Sequence, residues 1–255
     1  MSITIGDGTK RNLGLRILRA GAMELRRVPQ LVTNDEVETL PKEQQPFLYA
    51  SGNWGLGYVS VKNLVGRTTL IVSLVKYLAF VVADWAGQVD FIAGNVTGGV
   101  VPGWLLAQEL SGLLGRVIPF VYIRDLRKKG GQKELITGIA NNPEIPLGSA
   151  GVVVEELVNF AETICNGAIC LREAGYVAKE GACILSYRNP VAEKALKENS
   201  IEMSWLLSLQ DLLDSADENK THPADLLAEY KRFLLDPLAW QAERGLTHVE
   251  KGGTK

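Results

Sequence analysis

Histidine and cysteine are scarce in this chain. Its 255 residues include two His and three Cys, and Cys165, Cys170 and Cys183 never approach a CxxC spacing. With His222 and His248 as the only imidazoles, no zinc-site pattern is present, and an odd number of thiols cannot pair fully within one chain. The thiols are expected to be small buried hydrophobes in a reducing compartment. An excess of one charge is missing too: 27 Lys and Arg face 29 Asp and Glu, for a net charge of −2. That balance excludes a nucleic-acid binder that relies on bulk positive charge. No apolar run is long and uncharged enough to span a membrane. The most apolar stretch, residues 69–86, carries Lys76 and Asp84 and reads as a buried helix. No tripartite signal peptide opens the sequence, so the expectation is a cytoplasmic protein with no membrane partner and no nucleic-acid partner.

What is present is the composition of a folded domain. Hydrophobic residues make up 46% and charged residues 22%, and a chain of this length buries roughly 70% of its unfolded surface. Residues 13–28 interleave apolar positions with Arg16, Arg19, Arg26 and Arg27, predicting an amphipathic helix. The proline-punctuated stretch 29–46 reads as an irregular connection, and 47–64 as short strands and a hairpin. From residue 69 onward helices alternate with short apolar strands. Helices are predicted at 69–85, 100–110 and 163–174, and strands at 89–93, 117–123, 151–154 and 182–187. The tail, 201–240, reads as helical. Continuous apolar strands between helices are what a parallel sheet covered on both faces requires.

In open α/β sheets, ligands sit at the carboxyl ends of the strands. Three loops there are informative. The first, Gly94-Asn95-Val96-Thr97-Gly98-Gly99, opens a helix, where bare N–H groups approach an anion; it has neither the Lys of a P-loop nor a GxGxxG spacing. An ordinary tight turn would look the same. The second, 124–133, holds Arg124, Arg127, Lys128, Lys129 and Lys133 around Gly130-Gly131. It suits a mobile lid over a polyanion or, equally, a solvated hairpin tip. In the third, an apolar strand is expected to end in Glu155-Glu156, followed by a turn and a helix. Two acids held side by side are costly unless a cation or a hydroxyl-rich ligand occupies the site, and an exposed acidic turn is the plainer reading.

In this order the three loops resemble those of a type I phosphoribosyltransferase, and specifically an orotate phosphoribosyltransferase. The third is similar to the family's phosphoribosyl pyrophosphate (PRPP) motif. The second resembles its catalytic loop, with Lys128-Lys129-Gly130-Gly131 running into Leu135-Ile136-Thr137-Gly138. Phe47-Leu48-Tyr49-Ala50-Ser51-Gly52 is similar to the segment before the family's substrate hairpin, with Ala50 where a Lys is sometimes found. Tyr58-Val59-Ser60 is similar to its paired-aromatic stretch, and Tyr187-Arg188 falls where the family has Asp-Arg. The phosphate cradle departs from the pattern: Asn159, Phe160, Ala161 and Glu162 stand where the family has Thr, Gly and small residues.

The resemblance implies an α/β fold with a central, mostly parallel sheet flanked by helices, a small hood and a basic flexible loop. It divides the chain into an N-terminal helix and extension (1–46), an α/β core (47–200) and a helical tail packed on the core (201–255). It implies transfer of phosphoribosyl from PRPP to orotate, giving orotidine 5′-monophosphate and pyrophosphate, with Mg²⁺ bound through PRPP and a homodimer as the working unit. Glu155 and Glu156 would hold the ribose hydroxyls, and Asn159 and Thr163 the 5′-phosphate. Thr97, Gly98 and Gly99 would hold pyrophosphate, Arg124 and Lys128 would neutralise the leaving group, and Arg188 and Tyr58 would hold the base. The departures in the cradle leave open the alternative of a catalytically impaired relative acting as a regulatory or structural subunit.

Overall fold

The computed structural model describes residues 5–30, 33–124 and 135–247. Helix α1 (Asp7–Arg19) is followed by strand β1 (Met23–Leu25). The amphipathic helix predicted over 13–28 therefore starts earlier and ends sooner. Gly21 turns the chain with φ +71, a left-handed conformation that costs a side-chain-bearing residue and ends the helix. Arg26, expected on a helix face, instead lies beyond β1 with its guanidinium 3.7 Å from the Phe47 ring centroid.

The predicted hairpin region forms β2 (Phe47–Leu48) and β3 (Trp54–Gly55), paired antiparallel, and then β4 (Gly57–Val59), which pairs with β1. These short strands make a hood over one end of the main sheet. Helices α2 (Thr68–Val81) and α3 (Ala83–Ala86) lead into the alternating part: β5 (Phe91–Asn95), α4 (Val100–Leu114), β6 (Phe120–Ile123), β7 (Ile136–Thr137), β8 (Ala150–Val158), α5 (Glu162–Glu173), β9 (Val177–Ser186), α6 (Pro190–Glu198) and β10 (Glu202–Ser208). The tail adds α7 (Leu209–Glu218), α8 (Ala224–Leu235) and α9 (Pro237–Ala242).

The six-stranded sheet has the order β10-β9-β8-β5-β6-β7. Every pairing is parallel except β6 with β7. The chain builds outward from β5 in both directions, so the strand order reverses beside it, the place where open α/β sheets form a ligand crevice. Alternation along the strands serves two cores. Val152, Val154, Ala182 and Ile184 pack with α2 and α4 residues such as Leu74 and Leu106, whereas Val153 and Cys183 pack with Ile164 and Leu171 of α5.

Two departures from the sequence expectation bear on the site. The strand predicted at 151–154 runs on to Val158, because it has β9 to pair with through Val158↔Ser186 after its pairing with β5 stops at Gly94↔Val154. Residues 201–208, expected as helix, contribute the edge strand β10, whose alternation matches β9 from Glu202↔Glu180 to Ser208↔Ser186. The core sheet thus extends past residue 200. Ser208 then caps α7, with its side chain accepting from the Asp211 N–H while the Asp211 carboxylate accepts from the Ser208 N–H. Such a reciprocal box is a strong helix start. The tail is tied to the hood: buried Gln241 accepts a 2.7 Å hydrogen bond from the Trp54 N–H.

Candidate functional site

The stretch of β8 that outruns β5 forms one wall of a cavity of about 300 Å³; the hood forms the other. Glu155, Glu156, Asn159, Thr163 and Tyr58, all expected at a site, line it.

The acid pair does not end the strand as predicted; it lies within β8. Consecutive strand residues project to opposite faces, so the two carboxylates are separated by geometry, and the cost assigned to holding them together does not arise in that form. Glu155 is buried, and its Oε1 accepts a 2.8 Å hydrogen bond from Asn95 Nδ2. The same amide nitrogen donates to the Thr163 carbonyl at 3.0 Å. Asn95 is the last residue of β5, so one buried amide ties the first loop to the third and to the start of α5. Burial, together with the nearby Glu155 and then Glu156 charges, pushes the Cys183 thiol well above its ordinary pKa. Glu156 reaches the other way, over the loop after β5. A Cβ added at Gly98 would stand 1.7 Å from Glu156 Oε2, so a side chain there would push the carboxylate off the loop. Gly99 is more firmly confined, with a Cβ there falling 2.0 Å from the Val154 carbonyl oxygen, a backbone atom. Thr97, just before, is exposed.

The turn after β8 accommodates its departures in specific ways. Phe160 is buried and turns toward the hood, with its ring centroid 6.0 Å from that of Tyr49. Ala161 takes the left-handed conformation, φ +63, at the N-cap of α5 and provides no side-chain cap. Glu162 and Thr163 begin the helix and line the cavity. Asn159 is pinned from outside: Asn189 Nδ2 donates to its carbonyl at 2.7 Å and to its Oδ1 at 3.2 Å.

The remaining predicted residues stand apart from the cavity. Arg124 follows β6, where its Nε donates to Thr137 Oγ1 at 2.9 Å and an Nη to the Tyr122 hydroxyl at 3.1 Å. Arg188, expected on the base, follows β9 with φ +52. Its guanidinium pairs with Glu193 at 3.2 Å and lies 4.5 Å from the Trp205 ring centroid, outside the cavity. Lys128 lies outside the described residues, as does most of the basic segment.

Lining residues not foreseen from sequence are Lys62 and Ser60 on the hood and the buried Tyr49 and Tyr187 behind them. Burial raises the pKa of both tyrosines, which keeps their hydroxyls protonated at neutral pH. Among the described residues, Lys62 is the one Lys or Arg lining this cavity. Chemically, the site pairs an acidic, hydrogen-bonding sheet wall with a hood wall carrying one cation and an aromatic ring. Such walls orient a polar ligand; they do not present an activated nucleophile.

The chain has relatives over about three quarters of its length, although no family model matches it. It is 28% identical over 197 residues to the orotate phosphoribosyltransferase of Phocaeicola vulgatus, covering 77% of this chain and 88% of that one. The enzyme of the same name from Jannaschia sp. is 27% identical over 205 residues, with 79% and 85% covered. Among solved structures, orotate phosphoribosyltransferase from Aeropyrum pernix superposes with a TM-score of 0.59 at 18% identity, over 81% of this chain and 98% of that one. Leishmania donovani UMP synthase superposes at 0.65 and 18% identity over 89% of this chain, which spans 42% of that longer one. The chain is thus similar in sequence, over about three quarters of its length, to orotate phosphoribosyltransferases, and it shares their fold.

Within that fold, the cavity occupies the carboxyl ends of β8 and β9 under the hood, and residues 155–163 line it. No helix among the described residues is long and apolar enough to cross a membrane.

Proposed function

We propose that this protein transfers the phosphoribosyl group from PRPP to orotate, releasing pyrophosphate and forming orotidine 5′-monophosphate in pyrimidine biosynthesis. The observation that carries the reading is the acid pair of the PRPP-type motif lining a cavity beneath the hood, in a chain whose relatives bear the name orotate phosphoribosyltransferase.

Glu155 and Glu156 accept hydrogen bonds from the ribose hydroxyls, and Asn159, Thr163 and the uncapped start of α5 receive the 5′-phosphate. Thr97 and the bare backbone of Gly98 and Gly99 take the pyrophosphate, which Arg124 and Lys128 neutralise as it leaves. Tyr58 faces the base once it is bound, whereas Arg188, paired with Glu193 outside the cavity, does not hold it. An oxocarbenium-like transition state needs positioning and charge neutralisation, which these groups supply without a covalent intermediate. A Mg²⁺ carried by the diphosphate suits these residues. Such ions take one or two carboxylates plus substrate phosphates, and no cluster of three or more side-chain ligands exists among the described residues. When bound, it would neutralise charge on the leaving group. The reading includes a cytoplasmic homodimer in which the basic segment serves the neighbouring site.

The test is a turnover assay with PRPP, Mg²⁺ and orotate, alongside calorimetric titration with PRPP. Orotidine 5′-monophosphate formation, with PRPP binding lost in a Glu155→Ala/Glu156→Ala variant, is the expected result. A folded protein that neither binds millimolar PRPP nor turns over orotate would overturn the reading.

A further inference from the structure

The two walls of the cavity differ in charge. The wall built from β8 and the start of α5 presents Glu155, Glu156 and Glu162, while the hood wall presents Lys62. An acceptor that carries a carboxylate cannot direct it at three acids, because like charges at close range in a partly desolvated cavity repel strongly. Arg188 is already engaged, paired with Glu193 and lying over Trp205. Ala50, on the same hood wall, offers no charge.

Strand β4 ends at Val59, and a short 3-10 helix over Val61–Gly66 follows. Val59 and Val61 are buried in the core at 4% and 1% exposure, while Tyr58, Ser60 and Lys62 line the cavity. Ser60 Oγ is buried with no hydrogen-bond partner. A buried hydroxyl without a partner is uncommon, and a ligand polar atom at that wall would satisfy it.

We infer that Lys62, together with Ser60, receives the carboxylate-bearing edge of the acceptor base and makes this wall the determinant of selectivity for an anionic, planar heterocycle. The assignment rests on the transferase reading for the identity of the acceptor, but it concerns binding and does not require turnover. Tyr58 supplies a ring against which the heterocycle packs, Lys62 a charge-assisted hydrogen bond to its carboxylate, and Ser60 a neutral one.

The experiment compares orotidine 5′-monophosphate with uridine 5′-monophosphate, which lacks only the carboxylate, by calorimetric titration of the wild type and of Lys62→Met, Lys62→Arg, Ser60→Ala and Arg188→Ala. The wild type should prefer the carboxylated nucleotide by roughly tenfold or more. Lys62→Met should erase that preference while leaving uridine 5′-monophosphate affinity within about twofold; Lys62→Arg should retain most of the preference. Ser60→Ala should weaken the carboxylated ligand without lowering the melting temperature, since it removes a hydroxyl that has no partner. Arg188→Ala should keep the preference. A preference unchanged in Lys62→Met, one lost in Arg188→Ala instead, or a wild type that binds neither nucleotide would each overturn the assignment. Absence of turnover with orotate, alongside a Lys62-dependent preference, would overturn the transferase reading alone.

Discussion

Phe160 packs its ring against Tyr49, with centroids 6.0 Å apart and planes at 47°, and so fastens the turn after β8 to the hood. The contact opens a chain of rings: Tyr49 meets Tyr187 edge-on at 6.4 Å, Tyr187 meets Tyr230 at 6.3 Å, and Phe233 and Trp240 follow. A bulky residue at the turn that the transferase reading assigns to the 5′-phosphate is thereby directed into the fold. Phe160→Ala should destabilise the protein by about 3 kcal/mol, the lower end for emptying a buried phenylalanine site. Phe160→Leu should cost less than half of that, because it keeps most of the volume. Chemical denaturation of both variants checks the order; equal midpoints for Phe160→Ala and wild type would show that the contact contributes nothing.

Ala161 sits next to it with φ +63. A left-handed conformation costs a residue with a Cβ about 1–2 kcal/mol, and glycine returns part of that gain through the greater freedom of its unfolded chain. Ala161→Gly should therefore raise stability by up to about 1 kcal/mol, and it should also tighten PRPP by removing a methyl group from the cradle. The measurements are a melting curve and a PRPP titration on the same preparation. A variant of lower stability would mean that the left-handed turn is not the conformation in solution.

The layout of the sheet was legible because its strands are continuous apolar runs: Val152-Val153-Val154 admits few alternatives between two helices. The extent of the strands was not. Nothing local in Glu155-Glu156 announces a strand, and β8 continues through them because β9 lies alongside, a long-range pairing. Residues 202–208 failed for the same reason, since Glu202, Ser204 and Ser208 look polar until Glu180 and Ser186 stand opposite. At the site, motif spacing located Glu155, Glu156, Asn159 and Thr163. It could not show that Arg188 turns to Glu193, because that orientation depends on Trp205 of a neighbouring strand. Lys62 carried no signal of its own, and only the folding of the hood brings it to the acids.

The thiols separate by environment. Cys165 and Cys183 are buried, whereas Cys170 is half-buried, so the expectation of three buried thiols holds for two. Burial pushes Cys165 up to about 11. The folded form thus holds this proton to higher pH than the unfolded chain, whose thiol titrates near ~8.5. Its contribution to stability is complete below about pH 8.5 and is lost as pH rises through about 11. Alkylation of the native protein at pH 8 should label Cys170 first and leave Cys165 and Cys183 until unfolding. Prompt labelling of Cys165, read by mass spectrometry of peptides, would contradict its burial.

Lys128 belongs to the basic segment that the transferase reading assigns to leaving-group neutralisation. Lys128→Ala should lower kcat by about a hundredfold, the scale for losing one electrostatic stabiliser of a transition state. Its melting temperature should stay within about 1 °C, since substitutions away from core and caps change stability little. Steady-state kinetics decide the matter: a raised KM for PRPP with kcat unchanged would assign Lys128 to ground-state binding and not to the departure of pyrophosphate.

Glu155 and Glu156 are adjacent in sequence and differ in what holds them, so their variants should separate stability from binding. Glu155 is buried against Asn95, whose amide also holds the Thr163 carbonyl. Glu155→Ala leaves that buried amide short of an acceptor, a loss of about 1–3 kcal/mol, and loosens the start of α5 along with it. Glu155→Gln restores an acceptor of the same shape and should recover most of the stability while losing the charge-assisted hydrogen bond to a ribose hydroxyl. Glu156 has no such internal duty for its charge; its carboxylate lies against the Cα of Gly98. Glu156→Ala should therefore change the melting temperature little and weaken PRPP by about tenfold or more, the scale of one charge-assisted hydrogen bond. Thermal melts paired with calorimetry of all three variants give the answer. If Glu156→Ala destabilises as much as Glu155→Ala and binds PRPP as wild type does, Glu156 serves the loop after β5 and not the ligand.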